Sequence, residues 1–348
     1  MGFPPRRRLA MPIVLILLAV SCGGKETAAP KKPGGAGEPA KPVICPLTGR
    51  EKPPGTDVSH PALAVKIDNA SVARPQAGLE SADVVYEELV EGGITRFLVI
   101  FHCSAASRIG PIRSARLVDP DILLEYAPVP FGYAGANQIV LDKVRATKGV
   151  VSLEHGKFGK AYERVAGRKA PHNLFTSDEK LRALSDVKGP PKPGFVFAAP
   201  PAAPAPGASP ATPAPPPANT IAFSFGGGDP VRYTYDAESQ SYLRFHGQNP
   251  HKAENGSQLK ATNIVTMKVK VTQGTIRDAA GNFSPETSVI GAGEVTVWSH
   301  GTVARGKWQR ATLNDKTAFV NDAGQPVTLV PGNTWIHLVP DTQAITIQ

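Results

Sequence analysis

The densest chemistry in the chain lies in Gly110-Pro111-Ile112-Arg113-Ser114-Ala115-Arg116, downstream of Arg74, Arg96 and Arg108 and of the acids Asp68, Glu87, Glu88 and Glu91. A helix starting at Ser114 would turn its free backbone N–H groups and its positive dipole end toward an anion. Arg113 and Arg116 would then add forked contacts to a carboxylate or phosphate. The competing reading is that these arginines pair with Glu87, Glu88 or Glu91 and hold a hairpin against that helix. The two readings are compatible.

The carboxylates carry a second option. On an alternating strand, Glu87 and Glu91 face one side with Leu89, and Glu88 faces the other with Val90. Paired carboxylates flanking a bond are what glycoside cleavage requires, although two acids on one strand match its geometry poorly. His172-Asn173, between Pro171 and a capped helix, can supply a general base or a ligand-gripping pair, or simply a turn. Ser114, His172 and Asp68 could compose a triad, but no GxSxG elbow supports one. No CxxC or HxxxH spacing points to a metal, and nothing implies a cofactor. His251, Trp298, Trp308 and Trp335 read as core or turn residues rather than as a platform for glycans.

The elements that must position these groups fall into two parts. From 43 to 187 strands and helices mix. Strands are expected over 62–67, 83–90, 95–102 and 131–134, with Glu91-Gly92-Gly93-Ile94 as a hairpin turn. A helical 81–91 is the rival, disfavoured by Gly92-Gly93 and the β-branched content. Helices are expected over 115–126 despite Pro120, over 136–147, and from the capping box Thr176-Ser177-Asp178-Glu179 to about 185. From 219 to 348 short β-rich runs recur between turns, which argues for a small sandwich or barrel. The expected class is α+β, a mixed N-terminal domain joined to a smaller β-rich one. Residues 188–218, rich in Pro and Ala, read as a semi-rigid linker.

The N-terminus gives an address. Arg6, Arg7 and Arg8 precede an apolar run of about a dozen residues, too short for a span of roughly 20. Small residues then lead to Cys22, so 1–21 reads as a lipoprotein signal peptide and Cys22 as the lipidated residue, although Ala19 stands where such signals usually carry Leu. Residues 22–42 are a Pro/Gly/Ala tether. The expected location is extracytoplasmic, anchored to a bacterial membrane. There, Cys45 and Cys103 can form one disulfide. Lys+Arg 38 against Asp+Glu 29 gives +9, and +6 once the three leading arginines are removed. That surplus suits an anionic wall polymer or lipid surface. No basic stripe with interleaved aromatics supports nucleic-acid binding.

Several strings occur in a distinctive order: Cys45-Pro46-Leu47-Thr48-Gly49, Ala64-Val65-Lys66-Ile67-Asp68-Asn69, Ala73-Arg74-Pro75-Gln76-Ala77-Gly78-Leu79, Ala82-Asp83-Val84-Val85-Tyr86-Glu87, Ile109-Gly110-Pro111-Ile112-Arg113-Ser114-Ala115-Arg116 and Ala170-Pro171-His172-Asn173-Leu174. Together they resemble the YerB-like bacterial lipoprotein family, built from two adjoining domains of unknown function. The long Pro/Ala insertion departs from that pattern. The resemblance implies the domain layout and the envelope address, and carries no catalytic residues. From the residues, the expected function is binding of an anionic wall component or an envelope partner protein through Arg96, Arg113, Arg116 and His172. A wall hydrolase or transferase using Glu87 or Glu91 with His172 is the alternative, and a structural scaffold the third reading.

Overall fold

Runs of Val, Ile, Phe and Thr bounded by Gly, Pro and Asx turns form nearly all the regular structure. The computed structural model describes residues 1–2, 42–198, 219–228, 230–278 and 281–347. The export segment, Cys22, nearly all of the tether and residues 199–218 lie outside the described residues. The chain divides into units Met1–Lys41 and Pro42–Gln348, and the second is described below. Among the described residues no helix is long and apolar enough to cross a membrane.

The N-terminal half contributes β1 (Leu63–Asp68), β2 (Val84–Leu89), β3 (Thr95–Phe101), β4 (Val129–Tyr133), β5 (Val150–Glu154), β6 (Glu163–Arg164) and β7 (Leu174–Phe175), with helices α1 (Val118–Leu123), α2 (Gln138–Ala146) and α3 (Asp178–Arg182). The C-terminal half is strands: β8 (Thr220–Phe223), β9 (Val231–Asp236), β10 (Ser241–His246), β11 (Asn249–Pro250), β12 (Lys260–Ala261), β13 (Asn263–Val269), β14 (Val271–Arg277), β15 (Phe283–Thr287), β16 (Gly291–Ser299), β17 (Thr302–Arg310), β18 (Ala318–Val320), β19 (Thr334–Pro340) and β20 (Ile345–Ile347). The α+β class with a β-rich C-terminal half is what the sequence predicts.

The largest sheet is shared between the halves. One ten-stranded sheet runs β18-β17-β16-β13-β19-β2-β3-β1-β4-β5. Its seam is β19 lying parallel to β2, with Trp335 opposite Val85 and His337 opposite Glu87. On one face, Leu98, Ile100 and Tyr86 pack with Ile122, Leu123 and Val144 of α1 and α2. On the other, Val65, Val85, Phe97 and Trp335 pack against Ile221, Tyr233 and Tyr242 of the second, six-stranded sheet. The linker reading also shortens, because Phe195 and Phe197 pack on the first core and Ala198 N–H donates to Leu329 O at 2.7 Å.

The helix expected from Ser114 begins only at Val118, so Pro120 sits in its first turn, where a missing N–H costs least. Residues 111–115 are extended instead. Asp68 N–H donates to Pro111 O, Arg113 N–H to Lys66 O and Ala115 N–H to Gly135 O, at 2.9, 2.9 and 3.0 Å. Helix α3 starts at Asp178 with Ser177 as its cap, accepting Lys180 N–H at 3.2 Å. Cys45 and Cys103 are joined as a disulfide, with Cα atoms 6.0 Å apart.

Candidate functional site

Asp68 ends β1, is fully buried, and gathers residues from three segments of chain. The extended 111–113 segment lies along the end of β1 and brings Arg113 Nε to 3.0 Å from Asp68 Oδ2, an ion pair without hydrogen-bond alignment. The turn before β7 delivers His172, whose Nδ1 lies 2.6 Å from the same oxygen. Oδ1 accepts the Ala70 N–H at 3.0 Å. Arg96 is the β3 residue opposite Asp68 on one side and opposite Glu88 on the other.

The three arginines are not equivalent. Arg116 is fully used: its guanidinium bonds Glu91 and donates to the Ser114 and Ala115 carbonyls at 3.3 and 2.8 Å. Arg113 has Asp68, but its two terminal nitrogens bond no group among the described residues. Arg96 is 5% exposed, donates one Nη1–H to Ser114 O at 3.0 Å, and has a buried Nε without a partner. No carboxylate lies within ion-pair reach of it among the described residues. Burial first, then Arg116 and Arg113, hold its pKa down at about 9. With Asp68 and Glu91 as the local acids of the three arginines, one positive charge is left over, and Asp68 also holds His172, whose side chain is partly exposed. Asn173 does not join this group; its Oδ1 accepts from Arg164 on the exposed side at 2.7 Å.

The paired-carboxylate expectation fails. Strand β2 ends at Leu89, and Glu91 falls in a turn where Gly92 and Gly93 both take φ of 71°. Strand alternation therefore stops before Glu91, which reaches Arg116 and Ser284. Glu87 points to the opposite face, into a network no sequence pattern flagged. It accepts from Arg244 Nη2 at 3.0 Å, Thr95 Oγ1 at 2.7 Å and Asn69 Nδ2 at 3.1 Å, and lies 2.9 Å from His337 Nδ1. Burial raises its pKa, but Arg244, His337 and Thr95 outweigh that and hold it at about 2. Arg244 also donates to Tyr233 Oη and His251 Nδ1, and its guanidinium lies 5.1 Å from the Trp335 ring centre. His251, Trp298, Trp308 and Trp335 are all buried.

On the other face, Glu88 shares Lys66 Nζ with Asp119, at 2.5 and 2.6 Å. Burial and the neighbouring Asp119, against Lys66 and Arg116, push Glu88 up to about 7. A lone lysine in the apolar run Leu63–Ile67 was the available clue. Among the described residues no group of three or more His, Cys, Asp or Glu stands close enough to hold a metal ion.

Comparison with known proteins places this architecture. Residues 47–190 match the N-terminal domain of a family of unknown function, DUF3048, and residues 220–336 match its C-terminal domain. The chain is 29% identical over 342 residues to "Putative lipoprotein YerB" of Bacillus subtilis (strain 168), covering 96% of this chain and 95% of that one. The crystal structure of the YerB protein from Bacillus subtilis superposes with a TM-score of 0.73 at 25% identity, over 87% of this chain and 99% of the other. Paired domains in the same order, a relative matched from end to end, and a shared fold together make this chain a member of the YerB-like family.

Proposed function

We propose that this protein is a lipid-anchored envelope protein that binds an anionic group of a cell-wall component, a carboxylate or phosphate, at Arg96, Arg113 and His172. The observation that carries this reading is Arg96, a buried guanidinium with an unpartnered Nε and no carboxylate within reach among the described residues. An unpaired buried charge is costly to keep, and an incoming anion bridging Arg96, the free nitrogens of Arg113 and His172 Nε2 removes that cost. The anchor rests on the basic, apolar and Cys22 sequence of the N-terminus and on the name of the Bacillus subtilis relative. A scaffold role accounts for Arg116 and Arg244, which are fully paired, but not for Arg96.

One observation favours hydrolysis as a second reading. Asp68 against His172 Nδ1 at 2.6 Å leaves Nε2 free, the arrangement of an oriented general base. The test separates the two. Residues 42–348, a compact unit holding both cores and the disulfide, are incubated with isolated cell wall, with co-sedimentation and mass spectrometry of released fragments. Binding predicts salt-sensitive retention that falls at least ~10-fold in Arg96→Met and Arg113→Ala, with no released product. Fragments released by the wild type and absent with His172→Asn would replace the binding reading with the enzymatic one. Absence of both retention and products would reject a wall ligand.

A further inference from the structure

Lys66 lies inside an apolar strand, and its ammonium is sealed in the core between two acids. Lys66, Glu88 and Asp119 come from β1, β2 and α1, and each is 0% exposed. Around them Ala64, Tyr86, Leu98, Val118 and Ile122 belong to the core on the helix-covered face of the sheet. Lys66 Nζ donates to Glu88 Oε1 at 2.5 Å and to Asp119 Oδ1 at 2.6 Å. The acids differ at their second oxygen. Asp119 Oδ2 accepts the Arg116 N–H at 2.6 Å, whereas Glu88 Oε2 is buried without a partner. Hydrogen bonds favour the ionised form of a carboxyl group and burial disfavours it, so the charge falls to Asp119 and the proton to Glu88. The Glu88 pKa agrees, raised to about 7 by burial and by Asp119.

The fold thus holds an amine, a carboxylic acid and a base in contact, in a place closed to solvent. Contact of this kind replaces the encounter that two free molecules would need before reacting. It also supplies a driving force. A buried ammonium and a buried carboxylate each carry a desolvation cost, and an amide carries no charge.

We propose that Lys66 and Glu88 close an intramolecular amide in the core, with Asp119 as the base. Asp119 Oδ1 takes one proton from the Lys66 ammonium, and the freed amine adds to Glu88 Cδ. The C–OH bond of the protonated Glu88 then breaks, and its hydroxyl leaves as water with a second proton from Nζ. One C–N bond forms, one C–O bond breaks, nothing is oxidised or reduced, and Asp119 is left protonated. Amide formation from a carboxylic acid is slow even between groups in contact, so freshly purified chain holds the ionic triad and the amide accumulates on incubation. The bond ties β1 to β2 at the centre of the shared sheet. Lys66, Glu88 and Asp119 lie outside the proposed binding group, so the inference stands apart from the wall-binding reading.

The test is the intact mass of residues 42–348, fresh and after incubation at neutral pH, followed by a proteolytic map. The expected result is a species lighter by one water that accumulates in the folded wild type, with the peptide holding Lys66 joined to the peptide holding Glu88. Lys66→Arg should not form it, and Asp119→Asn should form it at least ~10-fold more slowly. Glu88→Gln should lose ammonia instead of water and arrive at the same mass as the linked wild type. Because these variants could disturb the fold, wild type incubated in denaturant is the second comparison, and it should keep its full mass. No lighter species from the folded wild type, equal loss in denaturant, or a map that places the lost water anywhere but between Lys66 and Glu88 overturns the proposal.

Discussion

Glu87 and Glu88 are consecutive residues of β2, both fully buried, and the same substitution in each is expected to have opposite effects on stability. Glu87 is held as an anion. Its pKa falls from 4.5 to about 2, against the cost of burial, because Arg244, His337 and Thr95 favour the charged form. At 1.36 kcal/mol per tenfold, that difference is about 3 kcal/mol of stability, present above pH 4.5 and lost as pH falls toward 2. Glu87→Gln removes it and leaves Arg244 buried without its counter-charge, so the expected cost at pH 7 is about 3–5 kcal/mol.

Glu88 is held as an acid. Burial and Asp119 from α1 outweigh Lys66 from β1 and Arg116 from the preceding loop, and its pKa rises from 4.5 to about 7. The folded chain therefore holds this proton more tightly than the unfolded chain does. Stability is full below pH 4.5, falls as pH rises, and the loss levels off above 7 at about 3 kcal/mol. Glu88→Gln keeps the shape and an acceptor for Lys66 but cannot ionise. It should match the wild type near pH 4.5 and exceed it by up to about 3 kcal/mol at pH 8.5. Urea unfolding of residues 42–348 at pH 4.5, 7 and 8.5 reads both effects. Loss of stability in Glu88→Gln at pH 8.5 would refute the reasoning, because Glu88 would then be an ionised partner of Lys66.

Three further outcomes follow from the same geometry. Arg96→Met should leave stability unchanged or raise it by about 1 kcal/mol in chemical denaturation, because it replaces an unpaired buried charge with an apolar chain. Arg244→Met alone should cost about 3–5 kcal/mol, and combining it with Glu87→Gln should recover most of that loss in a double-mutant cycle. Reduction of Cys45–Cys103, which are 58 residues apart, should lower unfolding stability by about 4 kcal/mol from loop entropy, read as a shift of the urea midpoint with and without reductant.

Much of the N-terminal half was legible because local signals agree there. The Glu91–Ile94 turn between two β-branched runs and the Thr176–Glu179 capping pattern, in which Ser177 is the cap of α3, are both short-range features. A serine flanked by arginines looks like a helix start facing an anion, but the helix begins only at Val118. In the fold, the N–H groups of Arg113 and Ala115 go to Lys66 and Gly135, contacts that no local pattern shows. The same limit hid the seam between the halves. Trp335-Ile336-His337 reads equally well as a strand of a separate sandwich, and only pairing with β2, some 250 residues upstream, makes it part of the central sheet. Phe195 and Phe197 are a usable warning that the Pro-rich stretch from 188 is not all free spacer, since two large aromatic rings need somewhere to bury. The site was half visible. Arg96, Arg113 and His172 were identified as types, while Asp68 as their meeting point required the fold.

The concentration of charge around β2 also bears on why the halves join where they do. Buried ion pairs are weak sources of stability compared with apolar residues of the same volume, so the Arg244–Glu87–His337 group is poorly explained as reinforcement. Its geometry suits another role. β19 is apolar on both faces, with Trp335, Ile336, Leu338 and Val339 all buried, and an apolar strand of that kind pairs in more than one register at little cost. A slip of one residue against β2 would carry His337 to the opposite face, leaving Glu87 and Arg244 with fewer partners in a sealed interior. The polar network penalises the wrong register more than it favours the right one. If that is its role, Glu87→Leu combined with Arg244→Met and His337→Leu should give a chain as stable as the wild type but with broadened amide resonances along β2 and β19. A single sharp set of resonances from the triple variant would show that packing alone sets the seam.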